Sequence, residues 1–199
     1  MLKKIVLLSL VFFMSVVSAN EPTVMLKKVS SDLVEQLNLN KDDLDSNHAL
    51  VVSIIKKVLL PNVDKVYMSK SVVGPYYWRS ASAEQRTEFI SEFETMVTNN
   101  YARLFSSYSD QKSTFIPFRG DISKKTKIEI KSIVAASSKV DFKVYYKLLK
   151  DSEGNWMIYD FSIDGISMVE SYKSQFAPVL SDTGMVGLIS DMKRHNHKE

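Results

Sequence analysis

Side chains able to do acid–base or metal chemistry are few in this 199-residue chain, which has three histidines and no cysteine. The lack of cysteine removes thiol nucleophiles, zinc–thiolate sites and disulfides together. His48 stands alone at a predicted helix start, while His195 and His197 lie in a polar C-terminal stretch that would hold a transition metal only adventitiously. No further ligand stands at a workable spacing from either place. Asp160 and Asp164, at the end of a predicted strand, form one candidate carboxylate pair. General acid–base work needs one of them buried beside a pocket with a raised pKa, whereas aspartate near a strand end ordinarily serves a turn. No glycine-rich phosphate loop, HExxH or GxSxG pattern occurs. The residues give little reason to expect an enzyme, and no cofactor or metal is implied.

The elements that would position these residues run in the order helices, strands, helices. Leu26, Val29, Leu33 and Leu37 repeat at helical spacing, and Leu50, Val51, Ile54, Ile55, Val58 and Leu59 form a wider stripe with Lys56 and Lys57 opposite. Pro61 ends that second helix, because proline disfavours helical geometry in the residue before it. A short helix over Val66 to Val72 stops at Gly74-Pro75. Ser82-Ala83-Glu84-Gln85 is a capping box, and Phe89, Phe93, Met96, Val97, Tyr101, Leu104, Phe105 and Tyr108 then hold one unusually aromatic face for about seven turns.

The period then changes to two. A strand is expected over Thr114 to Phe118. Ile128, Ile130, Ser132 and Val134 alternate with lysine and glutamate, and Val140, Phe142, Val144, Tyr146 and Leu148 alternate with Asp141, Lys143, Tyr145 and Lys147. Such alternation marks half-buried antiparallel strands. Asp151-Ser152-Glu153-Gly154-Asn155 turns the chain into a strand from Trp156 to Ile163. A helix from about Ser167 and another around Met185, Leu188, Ile189 and Met192 follow. Helices gathered on one face of an antiparallel sheet make an α+β domain.

The N-terminus bears on compartment. Lys3 and Lys4 precede an apolar run from Ile5 to Val17, and Val17-Ser18-Ala19 places small residues for cleavage after Ala19. The run is shorter than the ~20 apolar residues that span a bilayer, although an uncleaved anchor shares the same physics. The expected organisation is a leader over 1–19 and one domain over 20–199, exported and stabilised by its core alone. Loss of the two leader lysines lowers the formal charge from +3 to +1. Charges of both signs are interspersed without a basic run, so nucleic acid is an improbable partner.

Three segments in order resemble the MlaC family of periplasmic phospholipid-binding proteins, which includes toluene-tolerance auxiliary proteins. The first is Val73-Gly74-Pro75-Tyr76-Tyr77-Trp78-Arg79-Ser80-Ala81-Ser82-Ala83-Glu84-Gln85-Arg86, continuing to Phe89, Phe93 and Tyr101. The second is Gly154-Asn155-Trp156-Met157-Ile158-Tyr159-Asp160 with Asp164-Gly165-Ile166-Ser167 behind it. The third is Tyr172-Lys173-Ser174-Gln175-Phe176, followed by Gly184-Met185-Val186-Gly187-Leu188-Ile189. The likeness runs roughly from Leu50 to Lys193. Pro75 and the first helix depart from the pattern, which bears on the pocket mouth and the N-terminal edge.

The resemblance implies an NTF2-like, cystatin-related α+β fold, with helices on one face of a curved sheet enclosing a cavity. It implies a phospholipid whose acyl chains enter that cavity while its head group stays in water, and a role in maintaining outer-membrane lipid asymmetry. The implied partners are an inner-membrane ABC transporter with an MCE-domain subunit and an outer-membrane lipoprotein–porin complex. The apolar faces then supply the expected lipid contacts: Ile54, Ile55, Val73, Tyr77, Phe89, Phe93, Met96, Tyr101, Ile130, Phe142, Val144, Tyr146, Tyr159, Phe161 and Ile166. Methionine and aromatic side chains suit a ligand of variable shape. Lys56, Arg79 and Arg86 are the charges expected at the rim, where exposed charge serves either docking or, more ordinarily, solubility. Apolar stripes by themselves equally describe a closed core. Two other classes stay open: a small-molecule enzyme using Asp160 or a tyrosine in the cavity, and a chaperone offering an apolar groove to unfolded chains.

Overall fold

A computed structural model describes residues 21–106, 112–135 and 141–197. The expected leader, Tyr108 and Val140 lie outside the described residues. Helix α1 spans Pro22–Leu39 and buries Leu26, Val29, Leu33 and Leu37, the four residues of its predicted stripe. Helix α2, His48–Val58, is capped by the Asn47 side chain, which accepts from the Leu50 amide at 3.0 Å. Leu33, Leu37, Val51, Ile54 and Ile55 close a cluster around Ala102 of the later helix.

Helix α3, Lys65–Ser80, starts where the Asp64 carboxylate accepts from the Tyr67 amide. Gly74 does interrupt it, but the helix resumes at once at Pro75 instead of giving way to a loop. Gly74 has φ 79° and ψ 164°, a region essentially restricted to glycine, and proline suits the first turn of a new helix. Helix α4, Ala83–Ser106, starts at the capping box. The Ser82 amide donates to Gln85 Oε1 at 2.9 Å and the Gln85 amide to Ser82 Oγ at 3.2 Å. Arg86 then reaches back, donating to the carbonyls of Trp78 and Arg79 while its guanidinium lies over the Trp78 ring. This residue joins the end of α3 to the start of α4.

The strands are β1, Ser113–Phe115; β2, Lys127–Val134; β3, Phe142–Lys150; β4, Trp156–Ile163; and β5, Ile166–Ser167. They form one antiparallel sheet in sequence order. The brief β5 is absent from the sequence expectation, since two residues carry no period. Asp164 and Gly165 both have positive φ, at 47° and 91°, as a tight two-residue hairpin requires. Helix α5, Met168–Asn196, follows directly and bends at Gly184, with φ 64° and ψ −161°. The two expected C-terminal helices are the two arms of this one.

Helices α3, α4 and α5 pack into a cluster that includes Val73, Trp78, Phe89, Phe93, Met96, Tyr172, Phe176 and Leu188. The Phe89 and Phe93 rings stack at 5.5 Å, and Tyr172 meets Phe93 edge-on at 5.1 Å. Each such buried ring contributes about 1.5–3 kcal/mol. A second cluster joins the inner face of the sheet to α1, through Ile128, Ile130, Leu148, Trp156 and Ile158 with Leu26 and Phe115. The architecture is α+β, as expected.

The bend in α5 gives a direct test. A Cβ on Gly184 would meet no atom within 4 Å, so only backbone conformation opposes a side chain there. Replacing Gly184 by alanine should lower the unfolding free energy by about 1–3 kcal/mol in urea denaturation. An unchanged midpoint would show that the bend is not imposed at this residue.

Candidate functional site

The helical cluster reaches the sheet through Tyr101 of α4 and Phe161 of β4, and the apolar side chains around this contact are half-buried. On α4 the buried residues Phe89, Phe93 and Met96 give way toward the C-terminus to half-buried Val97, Tyr101 and Phe105. On β3, Leu148 is wholly buried and Val144 nearly so, while Tyr146 and Phe142 are half-buried. Tyr101 packs edge-on against Phe161 of β4 at 5.2 Å. Phe161 pairs in register with Tyr146, and Tyr146 lies 5.9 Å from Phe115 of β1. These four aromatic residues form a row from the long helix across three strands of the sheet.

Strand register explains how Phe161 joins the row. Lys147 pairs with Asp160 but Leu148 pairs with Ile158, so Tyr159 is left over. That extra residue changes the phase of β4 relative to β3, as a β-bulge does. Phe161 and Ile163 therefore share a face with Tyr146 and Val144, while Trp156 and Ile158 share it with Lys150 and Leu148. Asp160 is displaced toward α5. Its Oδ2 accepts from Lys147 Nζ at 2.9 Å and from Ser167 Oγ at 2.7 Å, and its Oδ1 accepts from the buried Val169 amide at 3.1 Å. Both oxygens are thus occupied by the fold. Asp164 has a separate partner, the Lys143 amide, at an exposed turn.

Burial pushes the Tyr101 hydroxyl up to about 12, with Tyr172 and Asp160 adding to the effect, so the phenol stays protonated at neutral pH. The hydrogen bond from Lys127 to the Tyr67 hydroxyl holds that ammonium above its ordinary value, and its Nζ lies over the rings of Tyr67 and Tyr159. Among the described residues no three His, Asp or Glu side chains gather as metal ligands.

The structure brings Tyr101, Tyr146 and Phe161 together, and places Val144 and Ile130 on the same face of the sheet. Val73, Phe89, Phe93 and Met96 lie in the helical cluster with Tyr77 packed against it. Ile54 and Ile55 belong to the separate α1–α2 cluster. Phe142 is at the outer end of β3, Tyr159 packs against Tyr67, and Ile166 is 72% exposed in the β5 hairpin. Phe115 and Ser132 also belong to the inner face without having been picked from the sequence. Ser132 shows in the alternation of β2, where a polar residue occupies an inward position. Its hydroxyl is fully buried and has no hydrogen-bond partner among the described residues.

A separate hollow of about 400 Å³ opens at the far end of the sheet, between Met25, Pro61, Asn62, Asp151, Asn155, Trp156 and Met157. Asn62 and Asp151 there already bond to the Val58 carbonyl and within the β3–β4 turn. The aromatic row is the better candidate for a ligand, and its chemistry suits an apolar one.

The chain is similar to several known proteins. The family model described as MlaC protein matches residues 27–194. An intermembrane phospholipid transport system binding protein MlaC of Haemophilus influenzae is 27% identical over 180 residues, covering 89% of this chain and 83% of that protein. A toluene tolerance protein of Pseudomonas putida is 26% identical over 168 residues, covering 84% and 77%. Among solved structures, a phospholipid-binding protein from Ralstonia solanacearum, in complex with a phospholipid, superposes with a TM-score of 0.81. It is 23% identical and covers 89% of this chain and 98% of its own, a likeness that establishes the fold. No helix among the described residues is long and apolar enough to cross a membrane.

Proposed function

Because this chain belongs to the MlaC family, we propose that it is a periplasmic phospholipid carrier, exported by a leader cleaved after Ala19 and folded as one domain over 20–199. It holds acyl chains against the inner face of the sheet and exchanges lipid with membrane-bound partners. Those partners are an inner-membrane ABC transporter with an MCE-domain subunit and an outer-membrane lipoprotein–porin complex, and the exchange maintains outer-membrane lipid asymmetry. The observation that carries the reading is the row Tyr101–Phe161–Tyr146–Phe115, half-buried over its first three members at the seam between helix and sheet. The names of the relatives support it. No catalytic group is needed. The one deeply buried carboxylate among the described residues, Asp160, is held by Lys147, Ser167 and Val169.

Magnitude decides how such a carrier releases its cargo. Two acyl chains carry about thirty methylenes, and exposing them to water at ~0.8 kcal/mol each costs on the order of 20 kcal/mol or more. Release into buffer is negligible on that scale. Transfer requires a docked partner that continues the apolar path, and the seam must open during contact.

Native mass spectrometry of freshly purified protein should therefore show one phospholipid per chain, retained through hours of dialysis. Adding the soluble domain of the MCE-type partner should move lipid at a rate that rises with partner concentration and saturates. Charge reversal at exposed Lys56 or Arg79 should slow that transfer without lowering occupancy; Arg86 is unsuited to the test because it ties α3 to α4. Protein that carries no lipid, or loses it to buffer within minutes, would overturn the carrier reading.

A further inference from the structure

Across the inner face of the sheet, Phe115, Ser132, Val144 and Ile163 stand opposite one another in a single row over four strands. Along β2 the same face reads Ile128, Ile130, Ser132, Val134, all buried. Ser132 is thus a hydroxyl in apolar surroundings in both directions. It has no exposed surface and no hydrogen-bond partner among the described residues. Buried hydroxyls are rarely left so, and alanine or valine would fill the position without leaving a polar group unmatched. A bridging water needs about two to four polar partners, and the neighbouring side chains in its row and strand offer none.

We infer that the Ser132 hydroxyl donates a hydrogen bond to an ester carbonyl of the bound lipid, and so distinguishes ester-linked acyl chains from ether-linked alkyl chains. This rests on the phospholipid-carrier reading above. The chemistry is specific to that part of a lipid. The hydrocarbon chains have nothing to accept a hydrogen bond, and the charged phosphate stays in water. The ester carbonyl is an acceptor without a donor of its own, which matches a hydroxyl that has a proton to give.

Depth agrees with this assignment. Leu148 toward one end of β3 is wholly buried, whereas the other end carries half-buried Phe142, paired with Val134. Ser132 lies two residues inward from Val134, about 7 Å along the strand. A head group held in water at that end places its glycerol esters at about this depth. The hydroxyl is covered by its neighbours in this structure, so the bond forms as the rings of the adjoining positions turn aside for the entering chains.

The test is a competition. Delipidated protein is incubated with vesicles containing equal amounts of dioleoyl phosphatidylethanolamine and its diether counterpart of the same chain length, and the bound species are counted by native mass spectrometry. The wild type should favour the diester about five-fold, the equivalent of one net hydrogen bond of about 1 kcal/mol. Ser132→Ala should bind the two equally, with diether occupancy unchanged and a melting temperature no lower than the wild type's. Ser132→Thr, which keeps the hydroxyl, should retain the preference. A preference that survives in Ser132→Ala, or is missing from the wild type, overturns the role given to Ser132 and leaves the carrier reading intact. Failure of the wild type to load either lipid overturns the carrier reading itself.

Discussion

Replacing Asp160 by alanine is expected to lower the unfolding free energy by about 3 kcal/mol, the low end of the loss when one partner of a buried charge pair is removed. The carboxylate is 2% exposed and holds three groups at once: Lys147 on the neighbouring strand, the Ser167 hydroxyl that caps α5, and the Val169 amide in the first turn of α5. It sits where a helix N-terminus carries partial positive charge, so it is favourably placed toward α5 as well as toward the cation. Alanine strands the buried Val169 amide. Lys147, being 36% exposed, can turn to solvent, which keeps the loss from reaching the upper end of the range. Asp160→Asn keeps an acceptor for Val169 but leaves the cation unmatched, and should cost about half as much. The hydrogen bond to Asp160 raises the Lys147 pKa above its ordinary 10.5. That part of the stability is therefore complete at neutral pH and is lost only as pH rises beyond that value. Urea denaturation of the three proteins at neutral and strongly alkaline pH checks this. A loss below about 1 kcal/mol for the alanine variant would show that Asp160 does not hold α5 to the sheet.

Asp160 also shows where sequence reading reaches its limit. Read together with Asp164 near the end of a strand it passes for a turn residue, because its partners lie far along the chain: Lys147 is set by the register of β3 against β4, and Val169 by the docking of α5. That register carries one extra residue at Tyr159, which no alternation pattern in a single strand reveals. Features whose causes are local are legible. The capping box at Ser82 and the buried stripe of α1 are examples, and both stand where the spacing puts them. Gly74-Pro75 was legible as an interruption, yet not as a bend between two helical arms, since the continuation depends on packing against α5. The aromatic face of α4 was likewise legible as one stripe. Its division into a sealed half and a half-open one follows from where Tyr172 and Phe176 of α5 and Phe161 of β4 meet it, contacts that join distant parts of the chain.

The largest functional effect is expected at Val144. It is 7% exposed, pairs with Ser132 on one side and Ile163 on the other, and lies one row from Tyr146 and Phe161. Its neighbour Lys143 pairs with Ile133 and is exposed on the opposite face. Placing a carboxylate at 144 would put an unpaired charge against the acyl chains, a penalty of several kcal/mol when the surroundings cannot hydrogen-bond it. Phospholipid phosphate co-purified per protein should fall at least about ten-fold in Val144→Glu and stay at the wild-type level in Lys143→Glu, since ten-fold needs only about 1.4 kcal/mol. A buried glutamate also strains the fold, so Tyr146→Ala is the companion variant. It removes a half-buried ring from the middle of the aromatic row and introduces no charge. Circular dichroism should show it folded, and its lipid content should fall as well, by several-fold. Equal lipid content in folded Val144→Glu and Lys143→Glu, or full occupancy in Tyr146→Ala, would show that the acyl chains do not lie on this face of the sheet.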